Sequence, residues 1–248
     1  MQAVHAQVSS GSKRKLWVVV LEAASLVIAA TLFLVILLRS LPLVESPLTV
    51  LLASLAAVAG YFLADVATGF VHWFCDTFFE EDTPVVGALL IAPFREHHRD
   101  PLAMTRHGFL ELTGNSCLAL SPPLAAALWL GPESPGSNFG AAFYTFVLAF
   151  SFSAAATNLF HRWAHDPHPP RWARLFQTVG LILSAARHAQ HHAPPHNSAY
   201  CVTNGWANRF VDRLGLFTIA ERVLVGVGLP RSAHHQSPAA QQTVKAWH

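Results

Sequence analysis

The chain has 248 residues, enough for one domain of ordinary size, with 52% hydrophobic residues, only 12% charged residues and a mean hydropathy of +0.37. A typical soluble domain is about 25% charged, so the composition fits a membrane protein, and a formal net charge of +2 excludes the strongly basic surface of a nucleic-acid binder. Cys75, Cys117 and Cys201 lie far apart without a CxxC pattern and read as buried free thiols, which excludes a disulfide framework.

In chain order, residues 1–16 read as an N-terminal segment that ends in Lys13, Arg14 and Lys15. The first apolar element, Trp17 to Leu38, has 22 residues and one charge, Glu22. About 20 apolar residues cross a bilayer, and a signal peptide would have a shorter apolar core and a small-residue cleavage site. A turn at 39–47, with Pro42 and Pro47, leads to a second span from about Leu48 to Phe70, with Asp65 near its end. Cys117 to Leu130 is short for a full crossing and meets a turn, GPESPGSN, at 131–138. Phe139 to Phe160 is long enough. Trp172 to Ala186 and Phe210 to Leu229 are interrupted by glycine or charge and read as interfacial helices. Residues 232–248 have the composition of a flexible tail. The expected fold is an all-α integral membrane protein, its domain spanning 17–231, with about four transmembrane helices and interfacial helices.

Basic residues orient these spans. Lys13, Arg14 and Lys15 place the N-terminus in the cytoplasm by the positive-inside rule. Two crossings return the chain to that side near residue 71, and the 117–160 hairpin goes out and comes back. Of the sixteen Lys and Arg residues, only Arg39 then falls on the far side. Hydropathy alone drew this topology, so the charge bias supports it independently.

The same topology collects histidines in a cap on the cytoplasmic face. There are fifteen in the chain, against fourteen Asp plus Glu. Four groups stand out: His72 with Asp76 in HWFCD; His97 and His98 in FREHHRD, then His107; His161 and His165 in HRWAH; and His188, His191, His192 and His196 in RHAQHHAPPH. Residues three or four apart share a helix face, so His72/Asp76 and His161/His165 pair, and His188, His191 and His192 form a set. His97 and His98 would diverge by about 100° on a helix, which suits ligands of two different metals. His5, His168, His234, His235 and His248 read as ordinary surface or core histidines.

Neutral imidazole is the commonest metal ligand. One zinc takes four ligands, and ten histidines on one face are too many for that; they suit two six-coordinate metals. Imidazole serves zinc, copper, iron and nickel alike. A lipid chain, however, offers only C–H bonds, and breaking them needs redox chemistry that zinc lacks. Two iron ions, with O₂ as co-substrate, therefore fit best. Asp76 is a candidate ligand or a carboxylate that orients a ligating imidazole.

At these residues the sequence resembles the plasmanylethanolamine desaturase (Kua or CarF-like) family. The likeness covers about residues 60–225 and is carried by GYFLADVATGFVHWFCDTF, PFREHHRDP with TRH, HRWAH, RHAQHHAPPH and YCVTNGWANRF. The resemblance implies desaturation of the 1-O-alkyl chain of an ether phospholipid to the vinyl ether of a plasmalogen. It also implies O₂ and electrons from a small donor such as cytochrome b5, or ferredoxin with its reductase. By position, the family's histidines fall on His72, His97, His98, His107, His161, His165, His188, His191, His192 and His196, and its aspartate on Asp76. One departure is Arg187, where some relatives carry a histidine, so that position is not an obligatory ligand. A related plant branch acts on an acyl chain of phosphatidylglycerol.

The substrate tail is expected to enter from the bilayer, with Arg95, Arg99, Arg106 and Arg187 as candidates to meet its phosphate; positive-inside bias explains the same arginines equally well. No Gly-rich dinucleotide fingerprint follows a strand, so electrons must come from outside. The membrane would be endoplasmic reticulum in a eukaryote and the inner membrane in a bacterium. A hydroxylase of the same superfamily, or a desaturase of a phospholipid acyl chain, is the nearest alternative. A metal transporter would need ionisable residues along the spans, which hold only Glu22 and Asp65.

Overall fold

The computed structural model describes residues 15–40, 46–134, 137–194 and 196–233. Lys13, Arg14, Pro42, His5, His234, His235 and His248 lie outside the described residues, as does the tail beyond 233. Ten α-helices account for most of the described chain: α1 (Leu16–Ser40), α2 (Pro47–Thr77), α3 (Ala92–Arg99), α4 (Ala103–Arg106), α5 (Phe109–Leu130), α6 (Asn138–His165), α7 (Arg171–Thr178), α8 (Ala185–His188), α9 (Asn208–Arg213) and α10 (Leu216–Gly226). A single π-helical turn, Gly87–Ile91, leads into α3.

Local chemistry starts the long helices. Ser46 caps α2 by accepting from the Thr49 N–H at 3.2 Å, with Pro47 at the first helical position. Ser137 caps α6 by accepting from the Gly140 N–H at 3.0 Å. The helices α1, α2 and α6 are long and apolar enough to cross a membrane. Helix α5 has 22 residues, about 33 Å at 1.5 Å per residue, so it too has the length of a crossing. Glu111, Asn115 and the internal Pro122–Pro123 pair make it less apolar. It begins eight residues before the apolar stretch that marks it in the sequence, because the polar first turns also fold as helix. Of the four expected spans, three thus qualify by both length and composition.

Four helices pack side by side, α1 on α5, α5 on α6 and α6 on α2. Contacts at their ends fix the directions. The Thr49 hydroxyl donates to Asn138 Oδ1 at 2.7 Å, so α2 and α6 start at the same end. Arg39 Nη1 donates to Leu128 O at 3.3 Å, so α1 and α5 finish at that end. The opposite end therefore gathers the C-termini of α2 and α6 and the short helices α3, α4 and α8. Large apolar side chains stand exposed along the bundle, among them Val27 (65%), Val58 (60%) and Phe152 (63%). That surface suits lipid rather than water.

Three expectations change. The 172–186 stretch is not one interfacial helix: α7 stops at Thr178 and the chain turns at Gly180. The 210–229 stretch is split into α9 and α10 by Gly215, whose φ of +61° is easy only for glycine. Ser232 and Ala233, read as the start of a flexible tail, are tied down, their N–H groups donating to Thr77 O (2.9 Å) and Glu80 Oε1 (2.7 Å). Cys75, Cys117 and Cys201 are free and buried.

Candidate metal centre

Eight of the histidines converge at this end of the bundle. The last turns of α6 carry His161 and His165, with Nε2 atoms 3.2 Å apart. His188 ends α8, and its Nε2 lies 2.8 Å from those of both His161 and His165. His192 follows in a turn whose backbone bonds continue the helical sense, and its Nε2 lies 2.9 Å from that of His188. With His97 these four make one group of donor atoms, all within 4.8 Å of each other. His72, His97, His98 and His191 make a second. In the second group the Nε2 atoms of His191 and His98 are 3.2 Å apart. Asp76 Oδ2 lies 3.0, 3.3 and 3.6 Å from the Nε2 atoms of His98, His72 and His191.

The adjacency of His97 and His98 separates them only in part: His98 joins one group, whereas His97 faces both. The HAQHH segment divides more cleanly, sending His188 and His192 to the first group and His191 to the second. Helical spacing alone would have put all three together.

Backbone carbonyls orient the second group. His72 Nδ1 lies 3.1 Å from Tyr200 O, and His191 Nδ1 lies 2.9 Å from Ser198 O. A carbonyl only accepts, so each Nδ1 carries the proton and each Nε2 keeps a lone pair toward the centre. The Nε2 atoms of His72 and His97 are buried without a hydrogen-bond partner. Such atoms are costly unless something else satisfies them. An imidazole–metal bond of about 2.1 Å puts two ligands at right angles about 3.0 Å apart, close to the observed 2.8–3.2 Å. The donor set thus fits two metal ions, one beside four imidazoles and one beside three imidazoles and a carboxylate, with His97 facing both and able to serve either.

Burial sets the charge state. His191 is pushed down to about 3 by desolvation, against the opposing Asp76 charge, and His192 to about 4 by desolvation and then by His98. His97 and His188 are held well below the usual histidine value, first by burial and then by neighbouring imidazoles. At neutral pH these rings are neutral, the form that binds metal.

Other candidate residues fall elsewhere. His196 sits at the rim, its ring 5.1 Å from that of His98 and its Nδ1 3.2 Å from His191 O. His107 is brought to neither group; its Nε2 lies 3.6 Å from Glu96 and its Nδ1 4.0 Å from Glu111. Arg95 does not present its guanidinium to a phosphate: it is buried and donates to Cys75 O, Phe78 O and Phe79 O at 3.2, 3.0 and 2.6 Å. Those carbonyls end α2, and the cation satisfies them. Arg187 is likewise spent inside the fold, on Asn204 O (2.8 Å) and Gly180 O (3.4 Å). Arg99 and Arg106 are exposed in ion pairs with Glu81 and Asp100.

An open groove of about 660 Å³ runs between α5, α6 and α7, with Leu26, Phe109, Phe152, Trp163, Trp172 and Phe176 in its wall. The hydroxyls of Tyr61, Thr113 and Ser153 also line it, but each donates to a backbone carbonyl, of Leu181, Phe109 and Ala149 respectively. With no hydroxyl proton left free among these three, the wall is almost wholly apolar.

Comparison with known proteins adds a second line of observation. The sequence pattern of the lipid desaturase domain matches residues 61–239. The chain is 42% identical over 193 residues to plasmanylethanolamine desaturase of Myxococcus xanthus, covering 77% of this chain and 68% of that one. It is 37% identical over 179 residues to plasmanylethanolamine desaturase 1 of Mus musculus, covering 71% and 66%. Fatty acid desaturase 4, chloroplastic, of Arabidopsis thaliana is 36% identical over 173 residues, covering 68% and 51%. The match thus spans about two thirds of the first two relatives and about half of the third. No solved structure matches the chain.

Proposed function

The chain belongs to the lipid desaturase family, and from that membership and its paired histidine sites we propose that it is a membrane di-iron desaturase. Its substrate is a 1-O-alkyl ethanolamine phospholipid, and its product the vinyl ether of a plasmalogen. The observation that carries this reading is the convergence of eight histidines into two groups that share His97. The reaction balances as R–CH₂–CH₂–O–R′ + O₂ + 2e⁻ + 2H⁺ → R–CH=CH–O–R′ + 2H₂O. The electrons come from an external donor such as cytochrome b5, or ferredoxin with its reductase.

His161, His165, His188 and His192 would hold one iron, and His72, His98, His191 and Asp76 the other; His97 faces both groups and, as a neutral imidazole with one lone pair, would complete one of the two. Iron bound there supplies the O₂-dependent redox chemistry that an unactivated C–H bond requires. The protein's own residues keep the imidazoles neutral by burial, aim the Nε2 atoms of His72 and His191 through backbone carbonyls, and exclude water. His196, on the rim beside His98, and His107, farther out, are not needed to complete either group. The apolar groove suits a hydrocarbon chain that enters from the bilayer. Arg99 and Arg106 are exposed, and would meet a headgroup phosphate only by exchanging or sharing their Glu81 and Asp100 partners. In this reading α1, α2, α5 and α6 cross the membrane, and the basic run Lys13, Arg14 and Lys15 supports, by the positive-inside rule, a histidine end on the cytoplasmic side of the endoplasmic reticulum or of a bacterial inner membrane.

Purified protein in vesicles, given 1-O-alkyl phosphatidylethanolamine, O₂ and a reducing system, is expected to yield an acid-labile vinyl ether. A stable hydroxylated ether would instead identify a hydroxylase. The chloroplastic relatives named fatty acid desaturases favour a second reading, in which a phospholipid acyl chain is the substrate. A new double bond in the acyl chain with the ether chain unchanged would establish that reading.

A further inference from the structure

Asp65 is fully buried in α2, within the second membrane-spanning helix. A carboxylate there is expensive and is a functional candidate by default. Its partners are unusual in kind: four backbone N–H groups of one loop. Oδ1 accepts from Thr203, Asn204 and Gly205 at 2.9, 3.0 and 3.1 Å, and Oδ2 accepts from Ala207 at 3.0 Å. Side chains pin the same loop further. The Thr203 hydroxyl lies 2.7 Å from that of Thr157 on α6 and 3.0 Å from that of Thr68 on α2. Asn208 Oδ1 accepts from Cys201 N–H at 2.8 Å, and its Nδ2 donates to Cys201 O at 2.9 Å.

The near end of this loop carries the two carbonyls that receive His191 and His72, those of Ser198 and Tyr200. We propose that Asp65 is a positioning residue for one of the two metal sites: by organising residues 198–208 it fixes the Ser198 and Tyr200 carbonyls that aim His191 and His72. The proposal rests on the two-metal reading above. It is selective, because the loop bonds directly to imidazoles of the second group only. Toward the first group it reaches backbone or a neighbouring side chain: Leu183 N–H donates to Thr203 O at 3.0 Å, and Arg187 donates to Asn204 O. Neither bond touches the His188 ring.

The test is metal content of the full-length protein in detergent, reconstituted with ferrous iron or with cobalt(II) as a spectroscopic probe. Asp65→Asn keeps the shape but turns an NH₂ toward the Ala207 N–H, donor against donor. The expected result is unchanged helix content, iron falling from about two per chain toward one, and loss of one cobalt band set. Outer-shell changes cost about 10–100-fold in metal affinity, and Asn208→Ala, which loosens Tyr200–Cys201 without touching Asp65, is expected to weaken the same ion by that amount. Two tightly held ions with an unchanged spectrum, or loss of both ions from folded protein, would overturn the proposal. If the Asp65→Asn chain does not fold, Asn208→Ala decides on the same readouts. A wild-type chain that holds one ion or none would overturn the two-metal reading instead.

Discussion

An imidazole that binds metal must be neutral, and at this site burial makes it so. The ordinary histidine value is about 6.5, whereas His191 and His192 sit at about 3 and about 4. Between pH 6.5 and 4 the unfolded chain takes up protons that the folded chain refuses. Stability is therefore complete above about pH 6.5 and is lost as pH falls through that window. The thermal midpoint of the metal-free protein is expected to be flat from pH 7 to 8 and to drop steadily below 6.5; a midpoint that rises on acidification would contradict the burial argument. Replacing His161 or His191 with alanine removes a donor from one group or the other. Vinyl ether formation should fall by more than about 100-fold in each, since even outer-shell changes cost 10–100-fold; survival of activity in either variant would show that the ligand assignment is wrong. The arginines separate in the same way. Arg95→Gln leaves buried carbonyls without their donor and should cost about 3 kcal/mol, whereas Arg99→Gln, half exposed, should cost about 0.5 kcal/mol or less. Thermal melting of the two variants distinguishes a helix-end clamp from a surface charge.

Elements, rather than single residues, decide how the groups assemble. Helical spacing made His161/His165 and His72/Asp76 legible in the sequence because both pairs lie on long regular helices. It could not show that His191 leaves its neighbours, because that choice is made by the Ser198 carbonyl, a backbone atom with no sequence signature. Nor could it show that Arg95 ends α2: the carbonyls of Cys75, Phe78 and Phe79 meet it only once α3 folds back on the helix end. Asp65 did leave a signal, a lone carboxylate in an apolar run, but its four partners are backbone N–H groups far along the chain. Where α2 meets the 198–208 loop the approach is close. A Cβ on Gly69 would lie 2.5 Å from Cys201 Sγ and 2.9 Å from Cys201 Cα. Backbone must move to relieve that contact, so Gly69→Ala is expected to cost about 1–3 kcal/mol and to weaken binding of the metal proposed beside His72, whose ring the Tyr200 carbonyl orients. Retention of both metals at wild-type melting temperature would show that the loop is not held as described.

At the scale of the whole molecule, the four packed long helices serve to bring distant sequence segments to one end. Hydropathy located three of them well and shortened the fourth, since α5 buries its polar first turns against α1 and α6 rather than in lipid. His72 arrives from α2, His97 and His98 from α3, His161 and His165 from α6, and His188, His191 and His192 from the segment at and after α8. Only a fold that returns α2 and α6 to the same end can make such a cluster. The cluster then matters chemically only if it holds two redox-active metals. Iron per chain in the purified full-length protein tests that most directly. About two irons per chain is the predicted result, and a single zinc, or one iron that no reconstitution raises to two, would contradict it.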